Sequence, residues 1–354
     1  LMKYELLVKK EFWDDFYNEL DSAKKRVYVQ FMTFEGDKTG LKLANKLIEL
    51  KKRGLEVKVL IDRFSDYYVS DTYYKREEVR EEVIATKNMI ESMEKNGIKV
   101  KRTHPYGLGK IFFLARNHKK IIVIDDVYYL GGINISDHNK SWYDFMVKIK
   151  EKNSLKSVVN DFNYTFLNKF RNYKGNNIIT NKNIGDVFYD LIDGAKNEII
   201  ISSPYAIDLS LIDILKDKKI KKVLLTLKNN NQFVITNMSK YIYRRLIEDG
   251  TDIFQYSNFS HAKFLVVDRN KLLIGSSNFG KESFIAKQEI CILIEDKKFV
   301  KNFVERLYIN DKKKLIKYKC PKKRFFKQNA YSHLVYYLLL IYSRFIVKKV
   351  KLIG

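Results

Sequence analysis

Apolar and polar positions along the chain fall into two stretches that repeat one order of elements. Val27 to Phe34 is an apolar strand pattern. Asp37 or Thr39 is placed to cap a helix with apolar positions Leu41, Ala44, Leu47 and Ile48, which runs out at Lys51-Lys52-Arg53-Gly54. Val57 to Asp62 predicts the next strand, about Lys75 to Lys95 a charged helix, and Ile98 to Arg102 a further strand. Lys119 to Asp125 predicts a strand that turns back as a hairpin through Tyr128 to Leu130. The second stretch follows suit. Glu198 to Ser202 reads as a strand, Leu209 to Leu215 as a short helix and Val223 to Leu227 as a strand. Met238 to Glu248 reads as a helix ended by Gly250, followed by strands at Asp252 to Tyr256 and Ala262 to Asp268. Alternating strands and helices predict an α/β fold: two pseudo-repeated sandwich halves, each with a mixed central sheet.

The expected division is 1–152 for the first half, 153–175 for a helical connection, 176–311 for the second half and 312–354 for a tail. The tail changes character along its length. Lys312 to Lys327 is strongly basic, and Leu334 to Tyr342 is an apolar run of nine residues. A span across a bilayer takes about 20 residues. A basic segment beside a Tyr/Leu-rich helix reads either as an interfacial anchor or as a cover for the second core.

Within this frame one pattern occurs twice. His118-Lys119-Lys120-Ile121-Ile122-Val123-Ile124-Asp125 and His261-Ala262-Lys263-Phe264-Leu265-Val266-Val267-Asp268 both read H-x-K-x-x-x-x-D. Each is followed by a small-residue turn ending in Asn, Gly131-Gly132-Ile133-Asn134 and Gly275-Ser276-Ser277-Asn278. The chain holds only five His, so two in the same frame is informative. Attack on a phosphodiester needs a nucleophile, an acid for the leaving oxygen and positive groups around phosphoryl oxygens. Imidazole serves as nucleophile or acid, Lys supplies charge and Asn supplies amide donors. Alternation on a strand puts His118 with Lys120, and His261 with Lys263, on one face. Two copies can then face each other across one phosphate. A Lys held among apolar residues with no anionic partner is costly, which favours a bound phosphate.

The paired motif resembles the phospholipase D superfamily, and the finer match is to the cardiolipin synthase branch. Arg116-Asn117-His118-Lys119-Lys120 resembles that branch's R-N-H-R-K, and Gly131-Gly132-Ile133-Asn134-Ile135 its G-G-I-N-I. Trp142-Tyr143-Asp144 resembles its W-x-D, Ser203-Pro204-Tyr205 its T-P-Y, and Gln288-Glu289 stands where the family carries an acidic residue. The turn from Asp125 to Gly131 is one residue shorter than that from Asp268 to Gly275, which predicts a tighter hairpin.

The resemblance implies an active site at the interface of the halves, with His118, Lys120, Asp125, His261, Lys263 and Asp268 as the catalytic set; the two motif Asp are mainly structural in the family. It assigns Asn134 and Asn278 to the phosphate, and Asp144 and Glu289 to orienting the imidazoles. Arg116 and Asn117 are expected to reach headgroup or phosphate. His104, beside Pro105, is placed to line the entry, and the apolar segment Gly107 to Leu114 to lie near the mouth.

The implied activity is phosphatidyl transfer through a phosphohistidine, with phosphatidylglycerol as donor and acceptor. No cofactor or metal is expected, since no Cys/His ligand set accompanies the motifs. Many cardiolipin synthases begin with transmembrane helices. None opens this sequence, and Leu1 before Met2 reads as a fragment or an unusual start codon. Two motifs in one chain let a monomer complete one site.

Charge extends the picture. Lys plus Arg number 67 against 42 Asp plus Glu, a formal net charge of +25. An AT-rich genome would raise Lys, but it would raise Glu as well. The excess points to an anionic partner: an anionic phospholipid at a membrane surface or, in the competing reading, DNA cleaved by a nuclease or phosphodiesterase of the same superfamily. A decayed, non-enzymatic membrane binder is disfavoured because both motifs are intact. Cys291 and Cys320 make no disulfide framework, which fits a reducing compartment, and the expected location is the cytoplasmic face of the cell membrane, peripheral or anchored.

Overall fold

Alternation along Arg26–Phe31 sends Val27, Val29 and Phe31 into one core and Tyr28 to the opposite side, where its ring stacks on Phe162 at 5.1 Å. A sheet used on both faces needs helices on both, and the chain supplies them twice. The computed structural model describes residues 3–69, 72–73, 76–105, 107–108, 111–169, 171–205, 208–228, 233–320 and 326–345. The chain divides into two units at Arg171/Asn172.

In the first unit the order is β1 (Tyr4–Val8), α1 (Lys10–Ser22), β2 (Arg26–Phe31), α2 (Lys38–Lys52), β3 (Glu56–Asp62), a short ribbon β4 (Tyr68–Val69) and β5 (Thr72–Tyr73), then α3 (Glu77–Lys95) and β6 (Lys99–Thr103). It continues with β7 (Ile121–Ile124), β8 (Val127–Gly131), α4 (Asp137–Ser141), β9 (Phe145–Ile149) and α5 (Lys152–Phe166). The sheet runs β1-β9-β8-β7-β2-β3-β6, with β2, β3 and β6 parallel and the rest antiparallel. One face packs on α1, α2 and α3 through Phe12, Phe16, Leu43, Leu47, Met89 and Met93. Burial of each such side chain is worth about 1.5–3 kcal/mol. Asp37 caps α2 by accepting from the Gly40 amide at 2.9 Å, and Gly54, at φ 90°, lies just past its end.

The second unit contains β10 (Lys174–Gly175), β11 (Ile178–Thr180), α6 (Asn183–Asp193), β12 (Glu198–Ser202), α7 (Ser210–Leu215), β13 (Lys221–Leu227), α8 (Phe233–Glu248), β14 (Asp252–Tyr256), β15 (Phe264–Val267) and β16 (Lys271–Gly275). It ends with α9 (Lys281–Ala286), β17 (Ile290–Ile294), α10 (Lys297–Val304), β18 (Leu315–Lys317) and α11 (Phe326–Phe345). Its sheet order is β10-β11-β17-β16-β15-β12-β13-β14-β18. Without its two outer strands this is the first sheet again: β15 lies antiparallel to β12 as β7 does to β2, and β12, β13 and β14 are parallel. The pseudo-repeat is therefore a repeat of topology and of strand direction.

The motif strands are shorter than expected. Pairing starts at Gln30 with Ile121 and at Ser202 with Phe264, so each motif His lies three residues ahead of its ladder. The hairpin difference is as expected. Ile124 pairs with Val127 across a two-residue turn, whereas Val267 pairs with Lys271 across three. Of the tail, residues 321–325 and 346–354 lie outside the described residues.

Candidate active site

The lead-in to β7 holds the first cluster. Its residues are Arg116, Asn117, His118, Lys119 and Lys120, all at least nine-tenths buried. The Lys120 ammonium donates to the carbonyl oxygen of His118 at 2.7 Å. Lys119 points elsewhere, and its ammonium meets both carboxylate oxygens of Asp161 on α5 at 2.7 and 2.8 Å. A buried ammonium needs such a partner. Adjacent lysines thus have different work: one crosses to α5, the other braces the His.

Asp62, at the end of β3, organises the approach to His118. One of its oxygens accepts from the Arg116 guanidinium at 3.0 Å and from the Phe64 amide at 2.8 Å; the other accepts from the Asn117 amide at 2.6 Å. Arg116 also donates to the Phe112 carbonyl at 2.8 Å. The Asn117 side-chain oxygen accepts from Gln30 at 2.9 Å. Burial pushes the Asp62 carboxyl up to about 6, against the pull of Arg116 and the two amides. His104 is 2% exposed, with Nδ1 3.6 Å from Asp62. Burial, then Arg116 and Lys119, hold its pKa well below the ordinary value, so the ring is neutral. The expectation that His104 lines an entry is corrected: a ring this buried lines no solvent path. Beyond it Leu108 is 92% exposed, while Tyr106, Gly109 and Lys110 lie outside the described residues.

The second cluster repeats the brace. Lys263 donates to the His261 carbonyl at 2.7 Å, and both residues are buried. Ser202 donates to the Ala262 carbonyl at 3.0 Å, and Ser203 to the Asn278 carbonyl at 2.8 Å. Asn134 occupies the matching turn of the first unit, where its side-chain oxygen accepts from the Thr33 amide at 3.3 Å. Among the described residues the side-chain oxygen of Asn278 is buried without a hydrogen-bond partner.

Register equates the two acidic residues. Gly131 pairs with Met146 and Gly275 with Cys291, and Asp144 and Glu289 each stand two residues before that partner. The glycines are demanded by contact. A Cβ on Gly131 would lie 2.3 Å from the Phe145 carbonyl oxygen, and one on Gly275 2.1 Å from that of Ile290. A Cβ on Gly132 would lie 2.4 Å from the Asp144 carboxylate, which also accepts from the Phe145 amide at 2.8 Å. Glu289 is fully buried and accepts from the hydroxyls of Ser276 and Ser283.

The motif aspartates do something else. Asp125 accepts from the amides of Lys24, Lys25 and Arg26 at 2.8, 2.9 and 3.0 Å. Asp268 accepts from those of Lys196, Asn197 and Glu198 at 3.0, 2.7 and 2.9 Å. Burial works against each charge, but the three amides prevail and hold both carboxyls below the ordinary range. Each Asp stands just past the end of its motif strand, at the opposite end from the His, and ties that end to the start of the neighbouring strand.

A family model described as "Cardiolipin synthase, PLD-like domain" matches residues 16–166 and 188–308. The chain belongs to this family. A cardiolipin synthase of Listeria innocua is 27% identical over 339 residues, covering 85% of this chain and 67% of that protein. The major cardiolipin synthase ClsA of Bacillus subtilis is 27% identical over 336 residues, covering 83% and 66%. The chain thus spans about two thirds of the length of those relatives. The crystal structure of a phosphatidylserine synthase from Haemophilus influenzae superposes with a TM-score of 0.72 at 15% identity, over 98% of this chain and 95% of that one; it shares the fold.

Sequence reasoning about this family member missed Asp62, Asp161, Gln30, and the hydroxyl partners of Glu289. Arg116 and Asn117, expected at the substrate, are held by Asp62, Phe112 and Gln30 within the first unit. Among the described residues one carboxylate trio, Glu35, Asp37 and Glu82, brings oxygens within 4.8 Å of one another; it lies outside both motifs.

Proposed function

We propose that this chain transfers a phosphatidyl group between phospholipids at a membrane surface, with phosphatidylglycerol as donor and acceptor. The observation that carries the reading is the duplicated brace: two buried His-x-Lys pairs of the same geometry, each followed by a Gly…Asn turn and a buried carboxylate. A hydrolytic or transferring phosphodiester site needs two imidazoles in opposite roles, and two matching half-sites in one chain provide them.

His118 attacks phosphorus, and the bond to the first alcohol breaks. His261 gives its proton to that leaving oxygen, which departs as glycerol. His261 then takes the proton of the second phosphatidylglycerol's hydroxyl, whose oxygen displaces His118 and forms cardiolipin. Lys120 and Lys263 supply positive charge beside the phosphoryl oxygens, and Asn134 and Asn278 supply amide donors. Asp144 and Glu289 hold the imidazoles in orientation. Asp62 acts as a positioning residue, through Arg116 and Asn117.

Purified protein in phosphatidylglycerol micelles with EDTA tests this, beside His118→Ala. Cardiolipin and free glycerol formed only by the intact protein support the reading. No lipid turnover but cleavage of DNA under the same conditions would replace it with the nuclease reading that the +25 charge also permits.

A further inference from the structure

The outer face of α11 has no counterpart in the transfer chemistry. On its inner side Tyr336 is buried and donates to Asp208 at 3.0 Å, while Val335 and Leu340 pack on the second core. On its outer side Leu334, Tyr337, Leu338, Ile341 and Phe345 are 54 to 68% exposed. Their spacing of three and four residues makes one continuous apolar stripe. The helix has 20 residues, a length of about 30 Å. Among the described residues no helix is long and apolar enough to cross a membrane.

We infer that this stripe seats the protein on an anionic phospholipid surface, lying in the plane of the interface. Charge selects the occupant. From residue 312 to the end the sequence has thirteen Lys and Arg and no Asp or Glu. Beside the stripe a groove between α7, α8, α9 and α11 is lined by Arg245, Lys281 and Arg344, with Asp213 among them. An apolar stripe flanked by cations matches acyl chains beneath anionic headgroups. A second copy of the chain is a poorer occupant, because a two-fold contact through α11 would bring two such cationic tails together. The inference takes its lipid class from the reading above, but its test needs no turnover.

The test is co-sedimentation of the full chain with phosphatidylglycerol vesicles and with phosphatidylcholine vesicles. Wild type binds the anionic vesicles at least about tenfold more tightly. Leu338→Glu/Ile341→Glu, on an exposed face, weakens that binding by about tenfold or more. Leu338→Trp/Ile341→Trp keeps it, and its tryptophan emission shifts to the blue with anionic vesicles. His118→Ala pellets like wild type even though turnover is lost, which separates docking from catalysis. Equal binding by wild type and the Glu variant, or no emission shift in the Trp variant, overturns the inference. So does a dimer in light scattering that the Glu variant splits while vesicle binding stays intact.

Discussion

The ammonium of Lys120 reaches back to the carbonyl oxygen of His118, two residues earlier, at 2.7 Å, and Lys263 makes the same bond to His261 at the same distance. The bond uses one of three ammonium donors. In the proposed mechanism the charge of each Lys then stands fixed beside the phosphoryl oxygens, without reorganisation as the reaction proceeds.

Lys120→Met and Lys263→Met should therefore each lower kcat by roughly 10²–10³ while leaving the fold intact. Steady-state kinetics on micellar phosphatidylglycerol and a thermal melt check this. Unchanged kcat in either variant would remove that Lys from the chemistry.

The motif aspartates should separate from the histidines. Asp125→Asn loses charged acceptor bonds from three amides, which costs about 1–3 kcal/mol of stability, while the folded fraction keeps its turnover. His118→Ala should do the reverse. The pH dependence follows. The folded Asp125 carboxyl titrates below its ordinary value of 3.8, so its contribution is complete above the unfolded pKa and is lost as pH falls through the folded one. Urea melts between neutral and acid pH read this: the gap between wild type and Asp125→Asn narrows as pH drops. A constant gap would contradict the assignment.

Lys119 and Asp161 form a buried pair that joins the motif to α5. Lys119→Met alone leaves a buried carboxylate without its partner and should cost about 3–5 kcal/mol, as should Asp161→Leu alone for the buried ammonium, whereas Lys119→Met with Asp161→Leu should fall near neutral or above wild type. Denaturant unfolding of the two singles and the double completes the cycle. Additive losses would mean that the pair is not coupled.

Much of this was legible in the chain, and what was missed has physical causes. The doubled His-x-Lys pattern, the Gly…Asn turns and the difference in hairpin length were readable by counting residues, although His118, Lys120, His261 and Lys263 stand ahead of their strands rather than on them. β9 and β17 escaped notice because Phe145–Ile149 and Ile290–Ile294 are buried almost throughout and show no polar alternation. α1 and α6 escaped for want of a start signal: Lys9 and Lys182 precede them with no side-chain cap. Asp62 and Asp161 could not be singled out, since their partners lie 55 and 42 residues away. His104 misled for the same reason, as nothing local shows that its loop turns inward.

The central claim, that the two motifs act in sequence on one phosphate through His118, has a direct measurement. Phosphatidyl-p-nitrophenol carries a leaving group that departs without a proton, so His261→Ala should form the covalent intermediate and fail to discharge it. Mass spectrometry of the acid-free digest should then find the phosphatidyl group on the peptide bearing His118. The account predicts that adduct in His261→Ala and none in His118→Ala. An adduct on His261 in the His118→Ala variant, or none in either, would contradict it.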